Sequence, residues 1–374
     1  MYKRNGFLSL LPLLVLLLLI SCDQKVKNGT ISRQQEFKTW EMRPFIKMDA
    51  ENPVLSPGNL TFTCPVLDTL VKWEEKDVFN PAAVVKEDKI HLLYRAEDSI
   101  GSNNGTSRIG LALSEDGLNF KKQAEPIFYP ENDSLKVLEW DGGVEDPRIV
   151  TTEDGRYVLT YTSYDGEIAR LMLAISPDLK SWEKYGRVLK GKWKNTWSKA
   201  GAIVAERKGD QIIAKTINGK YWMYFGDTDL FLAYSEDLIN WSPLLEDGAL
   251  KSVLKPRPGY FDSRLVEAGP YALWGDEGIL LLYNGMNLGE NEKRDTTLAP
   301  GTYSAGQALF ARNNPAVLVD RSESYFLTPE KPYEIEGQIN LVCFIEGMVP
   351  YRGKWFLYYG TADSKIAVAV YDPN

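Results

Sequence analysis

The amino-acid sequence predicts an all-β fold, a five-bladed β-propeller, on three observations. Five segments repeat one pattern of turn, hydrophobic strand, aromatic residue and, four positions later, a polar residue. A second alternating strand closed by a polar turn follows several of them, and no helical stretch interrupts the series. The five segments are EDKIHLLYRAED, DGRYVLTYTSYD, NGKYWMYFGDTD, DEGILLLYNGMN and RGKWFLYYGTAD. Their aligned aromatics, Tyr94, Tyr161, Phe225, Tyr283 and Tyr359, stand 58 to 76 residues apart, and the polar residues are Asp98, Asp165, Asp229, Asn287 and Asp363.

Each repeat opens with a short apolar strand, in FNPAAVV, VEDPRIV, KAGAIVAE, RLVEAGPYALW and INLVCFIEGMVPY. Gly-containing turns (DG, NG, RG) join several of these to the aromatic strand, which is hairpin chemistry. The third strands are IGLALSEDGLNF, LMLAISPDLKSW, LFLAYSEDLINW and a worn KIAVAVYD. Each unit is thus an antiparallel sheet of about four strands, and radial repetition of five such sheets removes the open-edge problem. A β-sandwich would account for the strands but not for the fivefold register. Because the last strand, KIAVAVYD, is too short to be a complete blade, N-terminal residues are expected to complete the ring there.

Upstream of the repeats the chain starts MYKRNGFLSLLPLLVLLLLISC, a basic pair and a Leu-rich run ending at a cysteine. Residues 1–21 are expected to be a secretory signal, and Leu-Ile-Ser-Cys resembles a bacterial lipobox, which makes Cys22 the lipidated mature N-terminus. A transmembrane anchor is the alternative, for which the run is short. Residues 22–44 are assigned to a tether and 45–374 to a single propeller domain, held by its lipid at a bacterial envelope membrane. The formal charge of −8 falls to −10 once Lys3 and Arg4 are removed, and without a basic stripe nucleic acid is a poor partner. Beyond Cys22 only Cys64 and Cys343 remain, with one histidine, His91, inside an apolar alternating run, so no metal or cofactor is expected. Spacing leaves open whether Cys64 and Cys343 pair, and the oligomeric state is equally open.

In a propeller the first strand of each unit faces a central channel. Those strands carry Asn80, Asp146, Lys199 with Glu206, Glu267 and Glu346. The stretch WDGGVEDPRIV sets two acids, Glu145 and Asp146, in a core strand, where a carboxylate must be paired or held for chemistry. Asp146 is assigned to the axis; Glu145 alternates to the other face and is the expected partner of Arg148. Carboxylates from several units on one rigid axis suit glycosidic cleavage, which needs a proton donor at the leaving oxygen and, for inversion, a second carboxylate to activate water. Trp140 and Trp197 offer stacking faces for sugars, or core packing, and the residues do not decide between the two.

The segments GGVEDPRIV, FNPAAVV with LLYRAED, LAYSEDLINW and YYGTADSKIAVAV together resemble glycoside hydrolase family 130, the β-mannoside phosphorylases and β-mannosidases, from about residue 70 to the C-terminus. The resemblance implies a five-bladed propeller and an inverting mechanism acting on manno-oligosaccharides. It makes Asp146, in EDPR, the general acid, passing its proton through the mannoside 3-hydroxyl. It places Asn80, Arg95 and Asp363 around the sugar of the −1 subsite, with Arg108, before a repeat strand, as a further candidate; Lys199, from its axial position, and Trp140, as a stacking face, are added to the substrate-binding candidates. Phosphorylase members carry a His-Arg-Pro run and a further arginine that bind phosphate; this chain has Tyr224-Phe225-Gly226-Asp227 and Tyr164-Asp165-Gly166 there. A phosphate facing acids is repelled, whereas water gains a base, so the reading is an exo-acting β-mannosidase. Glu267 is the first choice for that base and Asp227 the second. A phosphorylase, and a glycan-binding propeller without catalysis, are the alternatives.

Overall fold

The structure is a computed structural model that describes residues 38–102, 105–290 and 293–374; Cys22 and the expected signal lie outside these residues. Almost all of the regular structure is strand: among the described residues helix is confined to Lys136–Glu139, Pro332–Ile335 and a 3₁₀ turn at Gly191–Trp193.

Strand pairing sorts the chain into five consecutive antiparallel groups. The first contains Asp77–Lys86, Lys89–Glu97, Ser107–Ser114 and Lys121–Lys122. The second contains Gly143–Thr151, Tyr157–Tyr164, Ala169–Ser176 and Glu183–Arg187. In the third, Ala202–Lys208 meets Lys220–Phe225, then Leu230–Ser235 and Trp241–Pro243, with the long hairpin at Gln211–Ala214 inserted. The fourth joins Leu265–Ala268 and Ala272–Trp274 to Ile279–Met286, Tyr303–Ala311 and Asn314–Arg321. The fifth runs Cys343–Tyr351, Lys354–Thr361 and Lys365–Tyr371, and Ile46–Lys47 adds its outer edge, Ile46 opposite Val370.

The aligned tyrosines have a common task. In four groups the tyrosine hydroxyl donates to a fully buried acid, and a cation from the outermost strand or its flank holds the acid's charge. Tyr94 donates to Glu74 (2.9 Å) beside Lys122 (2.9 Å), and Tyr161 to Glu139 (2.8 Å) beside Lys184 (2.7 Å). Tyr283 donates to Asp262 (2.7 Å) beside Arg321 (2.6 Å), and Tyr359 to Glu334 (2.8 Å) beside Lys47 (2.8 Å). A buried carboxylate left alone would be costly, so each triad is kept whole or not at all. The third group has Phe225 at this position and no hydroxyl; its neighbour Tyr224 donates instead to the Pro315 carbonyl (2.9 Å) of the fourth group.

Residues 38–44 do not behave as a tether. Met42 is buried, its backbone N–H donates to Gln307 (2.9 Å), and Trp40 donates to Asp320 (2.9 Å). Apolar side chains at Trp40, Met42 and Phe45 draw this stretch onto the core. His91 is buried in its strand, as expected, and Cys64 and Cys343 are both free.

Candidate active site

Three of the first strands break register: at Asn80, at the pair Asp146 and Pro147, and at Glu346, each with one residue more than its partner strand. A bulge re-aims a side chain out of the ladder. It also explains a proline inside a buried strand, because the ladder already lacks a bond there. Asn80 (φ 44°) and Asp146 (φ 48°) take the left-handed backbone conformation that Asn and Asp tolerate best among residues with a Cβ. Both side chains point into a cavity of about 140 Å³, lined also by Arg95, Lys199, Glu267, Tyr303, Ile339, Val342, Phe344 and Asp363. Larger depressions exist elsewhere on the surface, but this one gathers the buried titratable groups.

Asp146 accepts from Asn80 Nδ2 (2.9 Å) and from Arg95 Nη1 (3.0 Å). Arg95 also donates to Glu145 (3.0 Å), Glu97 (2.7 Å) and Ser107 (3.0 Å), and its plane lies over Phe79, so its position is fully determined. Lys199 Nζ stands between two acids, 3.9 Å from Asp146 and 3.7 Å from Glu267. Asn80 Oδ1 and Glu267 Oε1 are buried with no hydrogen-bond partner, the condition of groups that wait for one. Gly360 makes room for Asn80, since a Cβ there would collide with Asn80 Oδ1.

Charge sorts these carboxyls. Burial raises Glu267 to about 7, against Lys199 and with help from the nearby charge of Asp227. Burial likewise raises Asp363 to about 7, against Arg95. For Asp146 burial is outweighed by Arg95 and Lys199, and its carboxyl sits below the ordinary range; Glu145, farther from Lys199, is raised by burial. Unfolded carboxyls titrate near roughly 4, so between about 4 and 7 the folded protein binds more protons through Glu267 and Asp363. Stability from these groups is therefore present at low pH and is lost as pH rises through 7. We predict a higher Tm at pH 5.5 than at pH 8, and a gain in Tm at pH 8 for Glu267→Gln, read by differential scanning fluorimetry; an unchanged Tm in that variant would refute the assignment.

The family model described as beta-1,4-mannooligosaccharide phosphorylase matches residues 51–373. The chain belongs to glycoside hydrolase family 130. Its relatives include the 1,2-beta-oligomannan phosphorylase of Thermoanaerobacter sp. (strain X514), 32% identical over 80% of this chain and 91% of that protein. Among solved structures, a glycosyl hydrolase from Bacteroides ovatus is 45% identical, with a TM-score of 0.87 over 91% of this chain and 96% of that one. Another, at 45% identity and a TM-score of 0.87 over 90% and 96%, comes from a description of family 130 mannoside phosphorylases as containing glycoside hydrolases that target β-1,2 mannosidic linkages in Candida mannan.

In this family 130 chain the cavity brings together Asn80, Arg95, Asp146, Lys199, Glu267 and Asp363. Other expected residues lie elsewhere. Arg108 is fully buried; it donates to Asp98 (2.6 Å) and lies over Phe62, the same tie that Arg170 makes to Asp165 in the second group (2.6 Å). It holds a loop, and Asp165 is likewise engaged. Trp140 packs on the core cluster of Phe62 and Trp73, outside the cavity lining. Asp227 is also outside the lining and accepts the indole N–H of Trp197 (2.7 Å). Glu206 pairs with Lys215 (2.8 Å) and lines an outer depression.

The expected pair of Glu145 with Arg148 is not formed. The bulge places two residues between their register positions, so Glu145 meets Arg95, while Arg148 binds Glu346 (2.9 Å) and the carbonyls of Ala268 and Gly269 (2.7 Å each). Arg148 thereby ties the strand of Glu267 to its own. Tyr303 and Phe344 in the lining were not foreseen. Tyr303 lies on a strand edge outside the aligned repeat positions, and its only sequence signal is an aromatic at the start of a strand after a Gly turn.

Proposed function

We propose that this family 130 chain hydrolyses β-mannosides by inversion, with water as the attacking group, on a five-bladed β-propeller whose groups of strands surround the cavity. The observation that carries the reading is the triplet of Asp146, Lys199 and Glu267. Two carboxylates flank one ammonium, and their nearest oxygens can be no farther apart than the two contacts end to end. That bound admits the roughly 6.5–9.5 Å of an inverting pair. Asp146, held among Asn80, Arg95 and Lys199, is the general acid, and Glu267 is the base that takes a proton from water. Asn80, Arg95 and Asp363 hold the mannosyl unit. A phosphate dianion entering this cavity would meet Asp146, Glu267 and Asp363 against Arg95 and Lys199, already engaged by those acids.

Burial holds the Glu267 carboxyl high while Arg95 and Lys199 hold that of Asp146 low, so of the two Glu267 keeps a proton more readily before sugar binds. The singly protonated pair is the working form, and a sugar that excludes water and comes between Asp146 and its cations moves the proton to Asp146. The charge order favours one second reading, in which Glu267 is the acid and Asp146 the base. The similar structure at 45% identity supports a β-1,2 linkage. Anchoring at a bacterial envelope membrane through Cys22 is part of the proposal and rests on the lipobox-like sequence.

The test is release of mannose from β-1,2-mannobiose with and without millimolar phosphate. Equal rates and an α-anomeric first product are expected. Phosphate-dependent formation of mannose 1-phosphate would overturn the hydrolase.

A further inference from the structure

Trp197 is half exposed, an unusual state for the largest side chain, yet it is fixed from three sides. Its indole N–H donates to Asp227 Oδ2 (2.7 Å), and its ring meets Tyr164 edge-on at 6.4 Å. The next residue anchors the turn: Ser198 N–H donates to the Ala169 carbonyl (3.0 Å), and its hydroxyl accepts from Leu171 N–H (3.1 Å). Two residues on stands Lys199, inside the cavity. Tyr164 in turn packs against Gly142, where a Cβ would strike its ring, in the loop that leads into the strand of Asp146. Asp227, which does not itself line the cavity, is thus joined through Trp197 to a stretch that enters it at Lys199, and its charge is felt by Glu267, Lys199 and Tyr303. A flat, immobilised, half-solvated aromatic face therefore stands beside the catalytic cavity, and core packing does not account for it.

We infer that Trp197 is the platform for the leaving-group sugar and that Asp227 is its positioning residue, orienting the indole and not activating water. The inference rests on the mannoside reading above. An apolar ring face against the C–H face of a pyranose is how aromatic residues in ligand sites hold sugars, and a ring already locked by its N–H loses little freedom on binding. The cavity of about 140 Å³ takes the sugar that is cleaved off, and the rim takes the next one. Asp227 has one oxygen committed to the indole and does not line the cavity, so a water there would not be aimed into it. Specificity for what lies beyond the scissile bond is thereby set by the third group of strands, and recognition of the cleaved mannose by the first, second and fifth.

Calorimetry in the inactive Asp146→Asn background reads the platform without turnover. Trp197→Ala is expected to weaken β-1,2-mannobiose about tenfold or more while changing the affinity for mannose less than twofold, and Trp197→Phe to fall between. Equal loss for both sugars, or none for the disaccharide, overturns the platform. With Asp146 intact, Asp227→Ala is expected to raise KM, with kcat within a few-fold. Asp227→Asn, which keeps an oxygen acceptor for the indole, recovers most of that KM, and Asp227→Ala adds little to Trp197→Ala. A hundredfold fall in kcat for Asp227→Asn would make it the base and overturn the positioning role. A chain that used phosphate instead of water would still show the disaccharide-selective loss, so the two proposals fail separately.

Discussion

Asp146→Asn is expected to lower kcat on β-1,2-mannobiose by at least about a hundredfold while substrate affinity changes little. Asparagine keeps the side-chain volume, and its carbonyl oxygen can still accept from Asn80 and Arg95, which now reach Asp146 at 2.9 and 3.0 Å. The pocket that holds the sugar therefore persists, while the transferable proton is gone. An aryl mannoside with a good leaving group needs less protonation, so the deficit should shrink to within about tenfold on that substrate. This contrast separates the two carboxylates. Were Asp146 the base, the activated substrate would gain nothing, because the missing step would be water activation. Undiminished hydrolysis of mannobiose would remove Asp146 from the mechanism altogether.

Glu267→Gln is expected to reduce kcat by about a thousandfold on activated and unactivated substrates alike, since both require the attacking water to lose a proton. Added azide, an anion that needs no base, should restore turnover and yield the α-mannosyl azide, by attack from the side water uses. Lys199 shapes this result. In the wild type it sits 3.7 Å from Glu267, and with glutamine there the ammonium keeps, among the described residues, only Asp146 as a charged neighbour within 4 Å, leaving a more positive pocket that attracts the anion. Full activity in Glu267→Gln would move the base to Asp227 and would also contradict the positioning role given to that residue.

How much of this was legible in the chain depends on how local each signal is. The aligned tyrosines could be read because their strands recur, yet their acids could not: Glu74, Glu139, Asp262 and Glu334 precede them by 20 to 25 residues, outside the repeated segments. Asp146 stood out because an acid before proline in a strand is tolerable only where the ladder breaks. The same break hid the partner of Glu145, since alternation stops predicting faces once one extra residue is inserted. Arg108 looked like a ligand contact because a lone arginine beside a repeat strand carries no mark of the Asp98 that neutralises it. The apolar wall of Val342 and Phe344 belongs to the junction leading into the fifth group, where side-chain direction is set by a neighbouring strand far away in sequence.

The pairing of Ile46–Lys47 with Lys365–Tyr371 has a consequence for how the protein is made. The ribosome delivers Lys47 more than two hundred and eighty residues before Glu334, the acid it neutralises, and Ile46 long before Lys365–Tyr371, the strand it will flank. Through most of synthesis up to that point this segment has no partner, and the fifth group has no outer edge until Lys365–Tyr371 has been made. Loop closure across such a span is slow and comes late. Closing the fifth group is thus a late step that clasps Ile46–Lys47 onto Lys365–Tyr371. A polypeptide lacking Lys365–Tyr371 would keep four of its five groups whole and leave a sheet edge open to other chains.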